Sequence, residues 1–208
     1  MPPYIFFARH GETEADRLCY LQSQTIDEPL NKTGRTQAKK LGKRLKDQNI
    51  GLMVVSPTKR TLETANLIMD IIAPPHVADV INPDFLEINC GSLDGLFYAI
   101  IEKTLSDLFN AWWGTSAPFA KRRLSFPDGE SFKQIVNRGK SAAKYLLSEI
   151  STRNQNILVI GHGNMNAVIA ATLLGLDTNE FFAAIYFQNC GLIKIDRNFN
   201  GLPRLIIS

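Results

Sequence analysis

Two stretches far apart in the chain set a histidine next to glycine directly after an apolar run. Arg9-His10-Gly11-Glu12 follows Tyr4-Ile5-Phe6-Phe7-Ala8, and Gly161-His162-Gly163 follows Asn156-Ile157-Leu158-Val159-Ile160. Short apolar runs of this kind read as buried strands, and open α/β sheets place their sites at the C-terminal ends of strands. Arginine beside histidine brings a fixed positive charge next to a group able to act as nucleophile or proton carrier. Arg60 occupies an equivalent place, in the first turn of a helix that Ser56-Pro57 opens after Leu52-Met53-Val54-Val55, and Glu87 lies in a glycine-punctuated loop. Two guanidiniums can grip phosphate oxygens bidentately, while a helix starting at His162 and Gly163 adds a ring donor and backbone N–H groups. The same positive charges disfavour imidazolium, so His10 is expected to stay neutral and to be able to attack phosphorus. Arg9, His10, Arg60, Glu87 and His162 form a candidate phosphoryl pocket.

Other chemistries lack their residues. There is no HExxH and no GxxxxGK[ST], and the position six residues after each cysteine is Thr25, Leu96 or Asp196, never the arginine of a cysteine-phosphatase loop. No Asp-x-Asp is present for an aspartyl phosphate, and Asn166 stands where the third glycine of GxGxxG would be. His10 and His162 bring no visible carboxylate partners for a metal. Neither metal nor cofactor is expected.

The elements that must carry these residues alternate between strand and helix. After the first strand, residues 13 to 30 show no sustained periodicity and read as a long loop. Asn31 caps a helix to about residue 48, with Ala38, Leu41 and Leu45 inward and a basic outer face of Lys39, Lys40, Lys43, Arg44 and Lys46 that reads as solvated. A second strand at 52 to 55 leads to a helix over 58 to 72, then a strand at 77 to 81 and the loop holding Glu87. A helix over 97 to 112 follows, and residues 113 to 129 read as an insert or lid, packed by Trp112 and Trp113 and carrying Lys121-Arg122-Arg123. A long helix from 130 to 152, with Val136, Ala143, Leu146, Leu147 and Ile150 inward, precedes the strand at 156 to 160 and the helix from 164 to 174. Residues 185 to 187 and 192 to 195, bridged by Asn189-Cys190-Gly191, read as a closing antiparallel hairpin, with a short strand at 205 to 207. The pattern predicts an α/β fold: a three-layer α/β/α sandwich on a mostly parallel central sheet with an antiparallel edge.

With 208 residues, 45% of them hydrophobic, and no linker-like stretch, one domain over residues 1–208 is expected. A net charge of +3 permits anionic small molecules but falls short of a nucleic-acid binder. Three widely spaced cysteines offer no disulfide framework, and no uncharged apolar run reaches membrane-spanning length, so the expected setting is soluble and cytoplasmic with no membrane partner. Nothing in the chain reports the oligomeric state.

Taken in order, Arg9-His10-Gly11-Glu12-Thr13, Asp27-Glu28-Pro29-Leu30 with Gly34 and Gln37-Ala38, and Ser56-Pro57 with Arg60-Thr61 and Thr64-Ala65 resemble the histidine phosphatase superfamily, the phosphoglycerate mutase-like fold with an Arg-His-Gly signature. The resemblance continues at Glu87 with Gly91 and Gly95, at Gly129-Glu130-Ser131 and at Gly161-His162-Gly163. It implies a metal-independent phosphatase acting on a phosphate monoester through a phosphohistidine on His10. Arg9, Arg60 and His162 would stabilise the transferring group, and Glu87 would act as general acid and then general base. That first task requires a raised Glu87 pKa, set by desolvation against the pull of the arginines. Glu12 and Thr13 are expected to fix the loop, and the Thr13 hydroxyl can reach phosphate. Gln22, Ser23 and Gln24 resemble the family's Leu-Gln-Gly-Gln segment, with a serine for its glycine, which makes Gln22 a further substrate-binding candidate. Gly163 is another, at its helix start. Asp16 departs from the family's asparagine, and beside a dianion it must be paired, with Arg17, or point away. A small phosphorylated metabolite is the implied substrate, a phosphoprotein the other class admitted. The alternatives are a cofactor-dependent phosphoglycerate-type mutase and a non-catalytic phospho-ligand-binding module.

Overall fold

The computed structural model describes residues 3–72, 78–113, 125–178, 187–196 and 204–207. Six strands form one sheet: β1 (Tyr4–Arg9), β2 (Ile50–Val55), β3 (Ala78–Ile81), β4 (Asn156–Gly161), β5 (Leu192–Asp196) and β6 (Arg204–Ile207), in the order β3-β2-β4-β1-β5-β6. The first four positions are parallel, and β5 and β6 complete the sheet antiparallel. The continuous apolar runs of β1, β2 and β4 follow from burial on both faces.

Alternation along those strands sorts the core into two layers. Phe6, Ala8, Met53, Val55, Leu158 and Ile160 face α2 (Lys32–Leu45) and α3 (Lys59–Ile72), packing with Ala38, Leu41, Leu45, Ala65 and Ile68. Ile5, Phe7, Leu52, Val54, Ile157 and Val159 face the other way, toward α6 (Phe132–Ser151) and α7 (Gly163–Leu174). Helices therefore cover both faces, giving the expected three-layer α/β/α arrangement. Buried residues run from Met165 to Ala171 on α7, which has no polar face and sits centrally. Trp112 packs on Phe126 at 4.4 Å between centroids, the structural role expected of it.

Several boundaries differ from the sequence reading. The segment from 13 to 30 is not all loop: Thr13 and Asp16 form a capping box that starts a five-residue helix, α1 (Glu14–Leu18). The helix expected over 97 to 112 is two, α4 (Tyr98–Thr104) and α5 (Ser106–Trp112), because Leu105 leaves helical dihedrals. On α6, Ala143, Leu146 and Ile150 are buried as expected, but the inward face also takes in Ile135, Gly139 and Ala142, while Val136 is only partly buried and Leu147 is exposed. The closing hairpin is replaced by antiparallel pairing of β5 with β1 and β6; Phe187 belongs to no strand, and residues 185 and 186 lie outside the described residues. Lys121-Arg122-Arg123 and most of the expected insert also lie outside them. No described helix is long and apolar enough to cross a membrane.

Candidate active site

The site forms where the C-terminal ends of β1, β4 and β2 come level. Arg9 pairs in register with Gly161, and the His10 N–H donates to the Gly161 carbonyl at 3.0 Å, so the two histidine turns leave the sheet side by side. Their rings meet edge to face with centroids 5.4 Å apart. Ser56 follows β2 directly, and Arg60 comes from the first turn of α3, with no exposed surface at all. The start of α2 packs on the Arg9-His10-Gly11-Glu12 turn so closely that only glycines fit. A Cβ on Gly11 would stand 2.5 Å from the Gly34 carbonyl oxygen, and one on Gly34 2.1 Å from that of Glu12. Thr64 Oγ1 accepts from the Gly11 N–H at 3.0 Å and Gln37 Oε1 from the Glu12 N–H at 2.9 Å, completing the clamp.

Hydrogen bonding fixes the ring tautomers. His10 Nδ1 lies 2.8 Å from the Gly11 carbonyl oxygen, which can only accept, so Nδ1 carries the proton and Nε2 the lone pair. Burial, together with the guanidiniums of Arg9 and Arg60, holds the His10 imidazole well below the usual histidine range. Burial is the larger cause, ahead of the neighbouring charges. At His162 the logic is reversed: Arg60 Nη2 can only donate, so Nδ1, at 3.2 Å, accepts, and Nε2 donates to Ser56 Oγ at 2.8 Å. The ring donor expected to face a ligand is therefore directed to Ser56. Burial, then Arg60 and His10, also keep this ring neutral.

Asp16 is paired, as the sequence required, but with Arg9 and not with Arg17, which bonds to Glu14 instead. Its second oxygen accepts from the Thr13 N–H at 3.0 Å, Thr13 Oγ1 at 2.9 Å and Asn189 Nδ2 at 3.2 Å. Burial raises the Asp16 pKa, but Arg9, His10 and the Thr13 bonds outweigh it and hold the carboxyl low. The Thr13 hydroxyl also lies 3.0 Å from Gln22 Oε1, so it is tied into the loop as expected. Arg9 Nη1 donates to the Phe187 carbonyl at 3.2 Å.

Glu87 enters from the loop between β3 and α4, which carries 3-10 turns at Pro83–Phe85 and Gly91–Leu93. Its buried carboxyl sits at the N-terminus of α7: Oε1 accepts from the Met165 N–H at 3.1 Å and Oε2 from the Asn164 N–H at 3.3 Å, while the Ile88 N–H reaches Oε1 at 2.9 Å. Burial raises its pKa, and the Ile88 and Asn164 amides, Arg60 and Arg9 pull the other way without cancelling it. Gly163, the first residue of α7, lies against the Arg9 side chain, where an added Cβ would meet Arg9 Cδ at 3.7 Å. Two buried donors near this network, Arg60 Nε and Gln22 Nε2, have no hydrogen-bond partner among the described residues.

The structure thus brings Arg9, His10, Arg60, Glu87, His162, Asp16, Thr13 and Gln22 into one connected region. Sequence reasoning missed the supporting groups: Ser56 on His162, Asn189 on Asp16, Asn164 on Glu87, and Asp94, whose carboxylate accepts from the Ser23, Thr25 and Ile26 N–H groups. Asp94 thereby holds the loop whose Ser23 carbonyl accepts from Arg60 Nη2 at 2.8 Å. Cys90 is inert packing: burial, aided by Glu87, pushes its thiol well up. Among the described residues no cluster of three or more His, Cys, Asp or Glu side chains is arranged to hold a metal ion.

A sequence model of the histidine phosphatase superfamily (branch 1) matches residues 5–204, and the chain belongs to that superfamily. It is 28% identical over 195 residues to a protein of Erwinia tasmaniensis named "Probable phosphoglycerate mutase GpmB", covering 92% of this chain and 84% of that one. It is 26% identical over 181 residues to phosphoserine phosphatase 1 of Hydrogenobacter thermophilus, with 86% and 80% covered. Among solved structures, the product of an open reading frame from Mycobacterium tuberculosis superposes with a TM-score of 0.81 at 23% identity, covering 100% of this chain and 97% of that one.

Proposed function

We propose that this chain is a metal-independent phosphatase that hydrolyses the phosphate monoester of a small metabolite through a phosphohistidine on Nε2 of His10. The observation that carries the reading is the His10 tautomer. A buried, neutral imidazole with its proton tied to the Gly11 carbonyl presents an unprotonated Nε2 beside two guanidiniums. The unpartnered donors Arg60 Nε and Gln22 Nε2 favour a ligand made of acceptors, as a phosphoryl dianion is.

In the first half-reaction the His10 Nε2 lone pair forms the N–P bond as the ester O–P bond breaks, and protonated Glu87 gives its proton to the leaving oxygen. In the second, the Glu87 carboxylate takes a proton from water, the water oxygen attacks phosphorus, and the N–P bond breaks to release inorganic phosphate. Glu87 ends protonated again, ready for the next substrate. Its raised pKa suits the first step, and the α7 amides around it keep the carboxylate tolerable between steps. Arg9 and Arg60 carry the charge that meets the dianion, and His162, neutral between Arg60 Nη2 and Ser56 Oγ, acts by orienting the Arg60 guanidinium.

A reducing compartment such as the cytoplasm suits the three free cysteines. The likeness to a protein named for phosphoglycerate mutase favours a second reading, a mutase, whose phosphohistidine must outlive product release. Phosphate release from an aryl phosphate, with and without chelator, tests the proposal. Turnover unaffected by chelator and lost in His10→Ala is expected; equal turnover by His10→Ala would refute it. Isomerisation of phosphoglycerate without phosphate release would select the mutase.

A further inference from the structure

The carboxyl of Glu87 is held by α7, but its backbone is held by a different helix. Arg138, in the second turn of α6, sends Nη1 to the carbonyls of Leu86 at 2.6 Å and Asp84 at 3.1 Å, and Nη2 to the carbonyl of Glu87 itself at 3.2 Å. The same guanidinium is closed off by Glu130, Nε to Oε1 at 2.9 Å and Nη2 to Oε2 at 2.7 Å. Glu130 is in turn fixed to the far side of the loop, accepting from the Asn89 N–H at 2.7 Å and donating its own N–H to the Asn89 carbonyl at 2.9 Å. One ion pair therefore binds the loop on both sides of Glu87. Gln24 Nε2 adds a second donor to the Glu87 carbonyl at 2.7 Å.

The pair is itself rigidly based. Both side chains are mostly buried, with 16% and 17% exposure, and the two-point contact is the geometry in which arginine and carboxylate bind most firmly. The Ser131 capping box starts α6 immediately after Glu130, and Ile135, Gly139 and Ala142 fasten the helix to the core. At Gly139 the helix packs against α7 so tightly that a Cβ would stand 2.4 Å from Val168 Cγ1. The helix that fixes the Glu87 backbone is thus locked to the helix that fixes its carboxyl. Movement of either would swing the acid away from a leaving group, and proton transfer tolerates little misplacement.

We propose that Arg138, braced by Glu130, is a positioning residue that sets the reach of Glu87 toward the leaving-group oxygen. A lysine cannot replace it, because an ammonium lacks the planar fork that spans three carbonyls and a carboxylate. The inference rests on Glu87 being the proton donor, and the test separates the two. Arg138→Lys, Glu130→Gln and Glu87→Gln are compared with the unaltered protein on phosphate esters running from 4-nitrophenyl, whose leaving group needs little protonation, to benzyl, which needs it fully. Expected for Arg138→Lys and Glu130→Gln is a loss of about 10–100-fold in kcat/KM on the benzyl ester, with less than about 3-fold on the 4-nitrophenyl ester and unchanged inhibition by vanadate. A uniform loss across the series, no loss, or failure of both variants to fold would overturn it, leaving the pair a structural clamp. If Glu87→Gln itself showed no dependence on the leaving group, the assignment of Glu87 would fall and this proposal with it; a dependence in Glu87→Gln alone would remove only the role of Arg138.

Discussion

The two site histidines should make the protein sensitive to mild acid, and the size of the effect follows from their burial. His10 and His162 are both held well below the usual histidine range, by burial first and then by neighbouring positive groups, among them Arg60. In the unfolded chain they titrate near about 6.5. Below that pH the unfolded state binds protons that the folded state refuses, so their contribution is fully present at higher pH and is lost as pH falls. One unit below the unfolded pKa, each histidine that remains neutral in the fold has cost about 1.4 kcal/mol, and the pair about 3 kcal/mol. Glu87 acts in the opposite sense: its folded pKa is raised, so the fold gains as pH falls through that value. Urea unfolding between about pH 8 and pH 5.5, for the unaltered protein and a His10→Asn/His162→Asn variant that keeps Glu87, isolates what the histidines contribute. The unaltered protein should lose about 3 kcal/mol more than the variant across this range. Equal pH dependence in both would refute the neutral, buried state on which the nucleophile argument stands.

Three further outcomes follow from the same geometry. In steady-state kinetics kcat/KM should fall as pH rises through the raised pKa of Glu87, since the acid must be protonated in the free enzyme, and Glu87→Gln should abolish that alkaline limb. Asp16→Asn removes the carboxylate paired with Arg9, and should tighten vanadate inhibition by up to about 10-fold as that guanidinium is released to the anion. Gly34→Ala drives a Cβ to 2.1 Å from the Glu12 carbonyl oxygen, and should destabilise the fold by about 1–3 kcal/mol in thermal melts while lowering activity through the displaced His10 turn.

Arg9, His10, Arg60 and His162 were legible because each ends an apolar strand or opens a helix, positions that a linear pattern marks, and Glu87 because it lies in a glycine-punctuated loop beyond a strand. What holds them was not. Arg138 acts on the carbonyls of Asp84, Leu86 and Glu87, more than fifty residues away, and backbone groups carry no sequence signature. Glu130 read only as a helix start, although it stands one residue before the Ser131 cap. The partner of Asp16 was misassigned because sequence nearness favoured Arg17, whereas β1 projects Arg9 back over α1. α1 itself spans five residues, too few for periodicity, and its one signal was the Thr13-x-x-Asp16 capping pattern. The break at Leu105 has no glycine or proline to announce it. On α6 the spacing placed Ala143, Leu146 and Ile150 inward correctly, but Val136 and Leu147 were taken in place of Ile135, Gly139 and Ala142, two of them small side chains that a search for large apolar residues passes over.

In the proposed reaction phosphate passes covalently through Nε2 of His10. The most direct measurement is to mix the protein with an aryl phosphate, quench in alkali, where phosphohistidine survives, and locate the added phosphoryl group by mass spectrometry of peptides. A phosphoryl group on the peptide carrying His10, absent in His10→Ala and accumulating when Glu87→Gln slows its hydrolysis, is the predicted result. Sustained turnover with the label on another residue, or with no covalent phosphate at any time, would contradict it.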